Sequence, residues 1–310
     1  MKIYITKIKE SWIIDRIKEE WVSNYSNYVT NFAFNSDVIW IIAPWAIKNE
    51  FIKRYKNKKI VYSVYHIENQ LKESLELQEI KSIDQYVSAY HVISIQTKRV
   101  LEKITKKPIY FIPLWVNQNI WYYIDNKIEL RNKYGFEKND FLIGSFQRDT
   151  EGSDLTSPKL VKGPDIFIEI LKKLQEKNNN ITAVLTGKRR GYVIGELKKL
   201  SIPYKYFEMT SFKMMNELYN ILDLYLITSR LEGGPQALVE CGQTKTPIIS
   251  TDVGLSREIL SSKSIFDYND LNTFFNAEPD IEHAYVNSSK LTIPDGMLAY
   301  LEMFKSTHEN

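Results

Sequence analysis

Between Asp223 and Gly254 the chain reads DLYLITSRLEGGPQALVECGQTKTPIISTDVG, with two carboxylates, Glu232 and Glu240, eight positions apart. Carboxylates are poor phosphate ligands but good acceptors for the hydroxyls of a sugar or ribose. Gly233 and Gly234 follow Glu232 as a flexible turn, and Pro235 falls where a helix would begin, a position at which a missing N–H costs nothing. The amides of Gln236 and Ala237 would then emerge at the positive end of the helix dipole, a natural seat for a phosphate. The stretch GSFQRDTEGSDLTSPKLVKG, Gly144 to Gly163, sets Arg148 and Lys162 at either end of a long polar loop. A guanidinium fork and an ammonium can neutralise a diphosphate both when bound and as it departs. LTGKRRG, Leu185 to Gly191, is a third turn of this kind; Thr186 and Gly187 are candidates to line the crevice, while Lys188, Arg189 and Arg190 are expected in solvent. In KKIVYSVYHIENQ, His66 ends a strand, where an imidazole could meet a sugar or hold a hydroxyl.

These residues need strand ends to present them. Short β-branched or aromatic runs alternate with longer amphipathic ones throughout, the pattern of parallel sheets with helical crossovers, so the class is α/β. Strands are expected near Lys2–Thr6, Val38–Ile42, Ile60–Tyr65, His91–Ile95 and Ile109–Ile112. After an irregular seam at Asn117–Asn126 they resume near Phe141–Ser145, Thr182–Thr186, Tyr204–Glu208, Leu224–Thr228, Pro247–Ser250 and Ser264–Phe266. The reading is two domains, 1–125 and 126–310, the second ending in a helix at about 294–306 that could cross back to the first. None of the 12 glycines precedes Gly135. Close backbone approach to a ligand is thus a property of the second half, with Gly144, Gly187, Gly233 and Gly234 as candidates. At the carboxyl edge of a parallel sheet, where open α/β folds bind ligands, Glu232 and Glu240 are placed to face one crevice.

Length and composition bound the function. A chain of 310 residues with 44% hydrophobic and 25% charged residues is globular and has room for two cores. The net charge of +3 is too slight for a nucleic-acid protein. The single cysteine, Cys241, cannot pair within the chain, and no stretch resembles a signal peptide or a spanning helix, so a cytoplasmic location is expected. The run Lys48, Lys53, Arg54, Lys56, Lys58 and Lys59 has only Glu50 against it and is interleaved with Trp45, Ile47, Phe51, Ile52 and Tyr55. It reads either as a solvated helix face or as a peripheral contact with the inner face of a membrane. There is no Asp-x-Asp triplet and no His/Cys cluster. The expectation is no metal and no other cofactor, with cations and helix dipoles carrying any leaving-group charge. No Gly-x-Gly-x-x-Gly follows a strand, which argues against a nicotinamide enzyme.

On these residues the chain resembles the family 4 glycosyltransferases, retaining enzymes of the GT-B fold. The Glu-x7-Glu spacing of Glu232 and Glu240 within LEGGPQALVECGQTKTPIISTDVG is similar to that family's hallmark, and Arg148 with Lys162-Gly163 matches its diphosphate-binding pair. The resemblance implies two Rossmann-like domains with parallel sheets facing across a cleft, an N-terminal acceptor side and a C-terminal side for a nucleotide diphosphate sugar. It implies that Glu232 contacts the transferred sugar, that Glu240 contacts the ribose, and that a hexose-type sugar passes with retention to a glycan, lipid-linked or other hydroxyl acceptor. His66 looks like the family's active-site histidine, and IPLWVNQNIW, Ile112 to Trp121, like its interdomain segment. The chain departs from the family in having no glycine-rich loop after its first strand, in Pro235 standing where glycine is usual, and in its short first domain. Two alternatives share the donor site: a GT-B nucleotide-sugar epimerase, and a non-catalytic partner subunit that binds the sugar nucleotide.

Overall fold

The computed structural model describes residues 1–7, 13–67, 75–177 and 180–310. They form two compact units, Met1–Trp115 with Ile293–Asn310, and Val116–Thr292. The first holds a five-stranded parallel sheet in the order β1 (Ile3–Ile5), β2 (Val38–Ile41), β3 (Lys59–Val64), β4 (Ala89–Val92), β5 (Ile109–Phe111). Alternate residues of β2 face opposite ways, and all four are buried, so both faces must be covered. Ile14, Ile17 and Trp21 of α1 (Ile13–Tyr25), with Met297, Tyr300 and Phe304 of the C-terminal helix Asp295–Glu309, cover one face. Ile52 of α2 (Asn49–Arg54), Ile80 and Ile83 of α3 (Leu75–Ile83) and Leu101 of α4 (Ile95–Leu101) cover the other. The first core is aromatic: the Trp40 ring lies 6.0 Å from Trp21 and 5.2 Å from Phe304. A chain of hydrogen bonds runs through it. Trp40 Nε1 donates to Ser63 Oγ (2.9 Å), Ser63 Oγ meets His91 Nδ1 (2.9 Å), and His91 Nε2 meets the Ile112 carbonyl (2.8 Å). Burial pushes the His91 imidazole down to about 4, against the pull of that carbonyl, so the ring is neutral. The partners assign its proton to Nε2, leaving Nδ1 to accept from Ser63.

The second unit holds a six-stranded parallel sheet built from β6 (Phe141–Ser145), β7 (Ile181–Thr186), β8 (Tyr204–Phe207), β9 (Leu224–Ile227), β10 (Ile248–Thr251) and β11 (Ile265–Phe266). Their order is β11-β10-β9-β6-β7-β8. The crossover helices are α6 (Pro164–Lys177), α7 (Gly191–Lys199), α8 (Phe212–Ile221) and α9 (Gln236–Thr244), preceded by α5 (Lys127–Lys133). In α6 the apolar residues Ile166, Phe167, Ile170 and Leu171 recur at helical spacing and all are buried against the sheet, each adding about 1.5–3 kcal/mol by burial. No described helix is long and apolar enough to cross a membrane.

Each strand expected from the sequence is present, with ends shifted by a few residues. β4 stops earlier than expected because Ser94 caps α4, its hydroxyl accepting from Thr97 N, so Ile95 is already helical. The unit boundary differs from the expected 125/126 seam and falls at Trp115/Val116. Residues that look like a linker are bound to α8. Tyr122 N donates to Asn216 Oδ1 (3.0 Å), Ile124 N donates to Asn220 Oδ1 (2.7 Å), and the Trp121 ring lies 5.7 Å from Tyr219.

Candidate functional site

In the second sheet the strand order reverses between β6 and β9. Loops leaving the carboxyl ends of these neighbours run to opposite faces and open a crevice, the usual ligand position in such sheets. Both principal motifs leave from that point. Their backbones are stitched together: Thr228 Oγ1 donates to the Gly163 carbonyl (2.7 Å), and the amides of Arg230 and Leu231 donate to the Val161 carbonyl (2.9 and 3.2 Å). Arg230 adds a two-pronged ion pair with Asp165 (2.8 and 2.6 Å) at the head of α6. Gly163 is required here. Its φ is +60°, and a Cβ would lie 1.8 Å from the Thr228 carbonyl oxygen.

The stitching sets Lys162 beside Glu232. The Lys162 ammonium is hydrogen-bonded to Glu232 Oε1, which also accepts from Ser229 Oγ (3.0 Å). Gln147 Nε2 holds the Lys162 carbonyl (2.9 Å) and its Oε1 accepts from Ser229 (3.3 Å). Arg148 is half-buried, its Nε donating to the Thr150 carbonyl (2.8 Å). Lys159, which motif reading passed over, belongs to the same group. Burial and then the positive charges of Arg148 and Lys162 hold its ammonium below the ordinary lysine range, with Glu151 and Glu232 pulling the other way. Three cations thus share one loop with two opposing acids, Glu151 and Glu232, an excess of positive charge that favours an anion.

Arg190 corrects the expectation that all three cations of LTGKRRG are solvated. Its side chain is fully buried, with Nε 2.8 Å from the buried Asp149 carboxylate, and it donates to the Gln147 carbonyl and to Ser145 Oγ (3.3 Å). Burial pushes the Asp149 carboxyl up to about 6, opposed by Arg190 and by the amides of Val193 and Tyr192. This pair braces the segment that carries Arg148. A partner 41 positions away has no local signal in the sequence, although the adjacency of Asp149 to Arg148 could have prompted a search.

Helix α9 begins at Gln236 with Pro235 one position outside it, at the N-cap. Gln236 and Ala237 therefore supply its first two amides. Gly254 backs the Gly233–Gly234 turn: its φ is +54°, and a Cβ would lie 2.6 Å from the Gly233 carbonyl oxygen. Glu240 is buried, and its Oε2 accepts from the Tyr219 hydroxyl (2.8 Å). Glu232 and Glu240 are thus held by different partners, the first by Lys162 and Ser229, the second by Tyr219. Thr186 ends β7 fully buried, and the Gly187 carbonyl accepts from Tyr206 OH (2.8 Å). Gly144 lies inside β6, where a Cβ would meet Leu222 Cδ1 at 2.3 Å, so its smallness serves packing. Among the described residues no group of three His, Cys, Asp or Glu is placed to hold a metal ion.

In the first unit His66 is exposed just past β3, its Nε2 3.8 Å from Glu76 Oε1. Within the Lys48–Lys59 run α2 turns Ile52 inward, and Phe51 and Tyr55 pack on the same core. Lys48, Lys53, Arg54 and Lys56 face out, with Trp45 exposed ahead of them.

Residues 155–281 match the family model for glycosyl transferases group 1. An alpha-galactosylglucosyldiacylglycerol synthase of Streptococcus pneumoniae (strain ATCC BAA-255 / R6) is 25% identical over 170 residues, which are 51% of this chain and 41% of that protein. Among solved structures, Anabaena HepE in complex with UDP superposes with a TM-score of 0.78 at 15% identity, covering 100% of both chains. HepE with UDP and glucose gives 0.76 at 13% identity over 99% of each chain. Sucrose-phosphate synthase from Thermosynechococcus elongatus gives 0.69 at 13% identity, over 97% of this chain and 80% of that one. The chain has the GT-B fold, and residues 155–281 of its second unit match the glycosyl transferases group 1 model.

Proposed function

We propose that the protein is a retaining, metal-independent glycosyltransferase of family 4 that moves a hexose-type sugar from a nucleotide diphosphate sugar to a hydroxyl of a glycan or lipid-linked acceptor. The observation that carries this reading is the Arg148, Lys159 and Lys162 cluster at the β6/β9 switch point, joined to Glu232. The group 1 match over residues 155–281 supports it. The UDP in the HepE complexes makes UDP-hexoses the first donors to test. The diacylglycerol-based product in the name of the pneumococcal relative makes a lipid-linked acceptor the first to try.

In this mechanism the bond between the anomeric carbon and the diphosphate breaks, and the acceptor oxygen bonds to the same face of that carbon. The acceptor proton leaves on the departing phosphate. Arg148, Lys162 and the amides of Gln236 and Ala237 hold the diphosphate as its charge grows. Glu232 orients the sugar, Gly233 and Gly234 let it lie close to the main chain, and Glu240 takes the ribose hydroxyls. Taking the ribose requires Glu240 to share its carboxylate with Tyr219. Thr186 and Gly187 line the donor side, and His66 holds the acceptor or sugar hydroxyl. The protein would work in the cytoplasm, peripheral to the inner face of the membrane, with the exposed cations of Lys48–Lys59 and Trp45 toward the lipid.

The test is a thermal-shift screen with UDP, GDP, ADP and CDP sugars, with and without EDTA, on wild type and Glu240→Ala. The expected result is EDTA-insensitive stabilisation by one sugar nucleotide, weakened by the substitution. That donor, incubated with acceptors, should give a product with the donor's anomeric configuration by NMR. No shift with any nucleotide would sink the donor-site reading, and a sugar altered without any acceptor would mark an epimerase.

A further inference from the structure

The loops entering the amino ends of β3, β4 and β5 lie at the sheet edge opposite the one that carries His66. They enclose a cavity of about 310 Å³ lined by Lys56, Lys59 and Lys107 together with Gln85, Ser88 and Tyr86, within the range of small-molecule sites. No Asp or Glu side chain is among its lining residues. The neighbouring acid, Asp84, is engaged by Tyr90 OH (2.9 Å) and Thr105 Oγ1 (2.6 Å). Among the described residues none of the three lysine ammonium groups has an ion-pair partner. Three unneutralised ammonium groups around one concavity repel one another and raise the local concentration of anions. Evenly scattered surface lysines would do neither.

From this geometry we infer that the amino edge of the first unit's sheet is a binding site for a phosphate-type anion, with Lys56, Lys59 and Lys107 as its ligands and the Ser88 hydroxyl and Gln85 amide as neutral donors. The site stands on the first unit alone and is independent of the transfer reaction. A second feature at this edge bears on the source of the anion. Phe32 and Phe34, 58% and 63% exposed with rings 5.5 Å apart, project beside the buried Ala33 in the connection entering β2. Lys58 is tied to that connection through Ser36, donating to its carbonyl (2.7 Å). An aromatic pair beside cations is what a phospholipid headgroup site would need and a free phosphate would not.

The full chain carrying Arg148→Ala and Lys162→Ala, so that the second unit's cations do not contribute, would be titrated with pyrophosphate calorimetrically at low salt and sedimented with phosphatidylglycerol vesicles. Lys59→Glu/Lys107→Glu and Phe32→Ser/Phe34→Ser would be added separately, with circular dichroism to verify folding. Lys56→Glu, at an exposed position, serves if the double charge reversal unfolds the unit. The expected result is binding weakened at least tenfold by charge reversal. If pyrophosphate binding falls with the lysines and survives the phenylalanine changes, the ligand is a soluble phosphate. If vesicle binding falls with both sets, it is a headgroup. Failure of the parent to bind either probe, or binding unchanged by charge reversal, overturns the site without touching the glycosyltransferase reading.

Discussion

Replacing Arg190 with Met would remove the guanidinium that sits 2.8 Å from Asp149 with both side chains buried. Asp149 would then be a buried carboxylate without its counter-charge, a change that costs about 3–5 kcal/mol. The Gln147 carbonyl and Ser145 hydroxyl would lose their donor as well, roughly 1 kcal/mol each. Against a typical domain stability of about 5–15 kcal/mol, Arg190→Met should remove a third or more and lower the melting temperature by about 10 °C. Asp149→Asn alone should cost a similar amount, because it strands Arg190. The double variant should cost only about 2 kcal/mol, since no buried charge remains and the lost hydrogen bonds set the difference. Urea denaturation of the four proteins closes the cycle, with an expected coupling of at least about 2 kcal/mol. Additive effects, or an Arg190→Met cost below about 1 kcal/mol, would refute the claim that this pair braces the Arg148 segment. In variants that still fold, donor affinity should fall in parallel, because Gln147 also grips the Lys162 carbonyl.

Glu232→Gln removes the counter-charge of Lys162 and should lower kcat about 100-fold with a smaller change in donor affinity by calorimetry; turnover within twofold of wild type would exclude Glu232 from the reaction. Gly163→Ala places a methyl 1.8 Å from the Thr228 carbonyl oxygen at a φ of +60°, and a loss of about 3 kcal/mol is expected by urea melts. Tyr219→Phe leaves Glu240 without its hydroxyl donor and should cost about 1–3 kcal/mol, with the loss reduced when donor is bound, as thermal shifts with and without sugar nucleotide would reveal. His91 binds fewer protons folded than unfolded between about 4 and 6.5. Its contribution to stability is complete above 6.5 and is lost as pH falls to about 4, by about 3 kcal/mol. His91→Gln should flatten that slope in denaturation curves, and an unchanged slope would mean that the ring is not buried neutral.

Local pattern was enough for the architecture. Short continuous apolar runs such as Val38–Ile41 and Leu224–Ile227, separated by amphipathic stretches such as Pro164–Lys177, located the strands because a strand buried on both faces is apolar at every position, a pattern visible in a short window of the chain. The Glu232–Ala237 stretch, its glycines and the start of α9 were legible for the same reason, since turn and helix-start chemistry is local. The sequence also set Arg148 and Lys162 at the two ends of one loop, but it did not reveal that Lys162 pairs with Glu232, 70 positions away. That depends on which strands become neighbours, and only the order β11-β10-β9-β6-β7-β8 brings the two loops together. Arg190 shows the limit most clearly. In the chain it is the last of three adjacent cations, and burial beside Asp149 gives it a role opposite to that of an exposed arginine. The apparent linker at 117–126 joined the second unit for a similar reason, because Asn216 and Asn220 satisfy the amides of Tyr122 and Ile124 from a helix 94 and 96 residues on. Charge pairing and amide capping act through space, and their partners are set by sheet order, which no local window of the sequence contains.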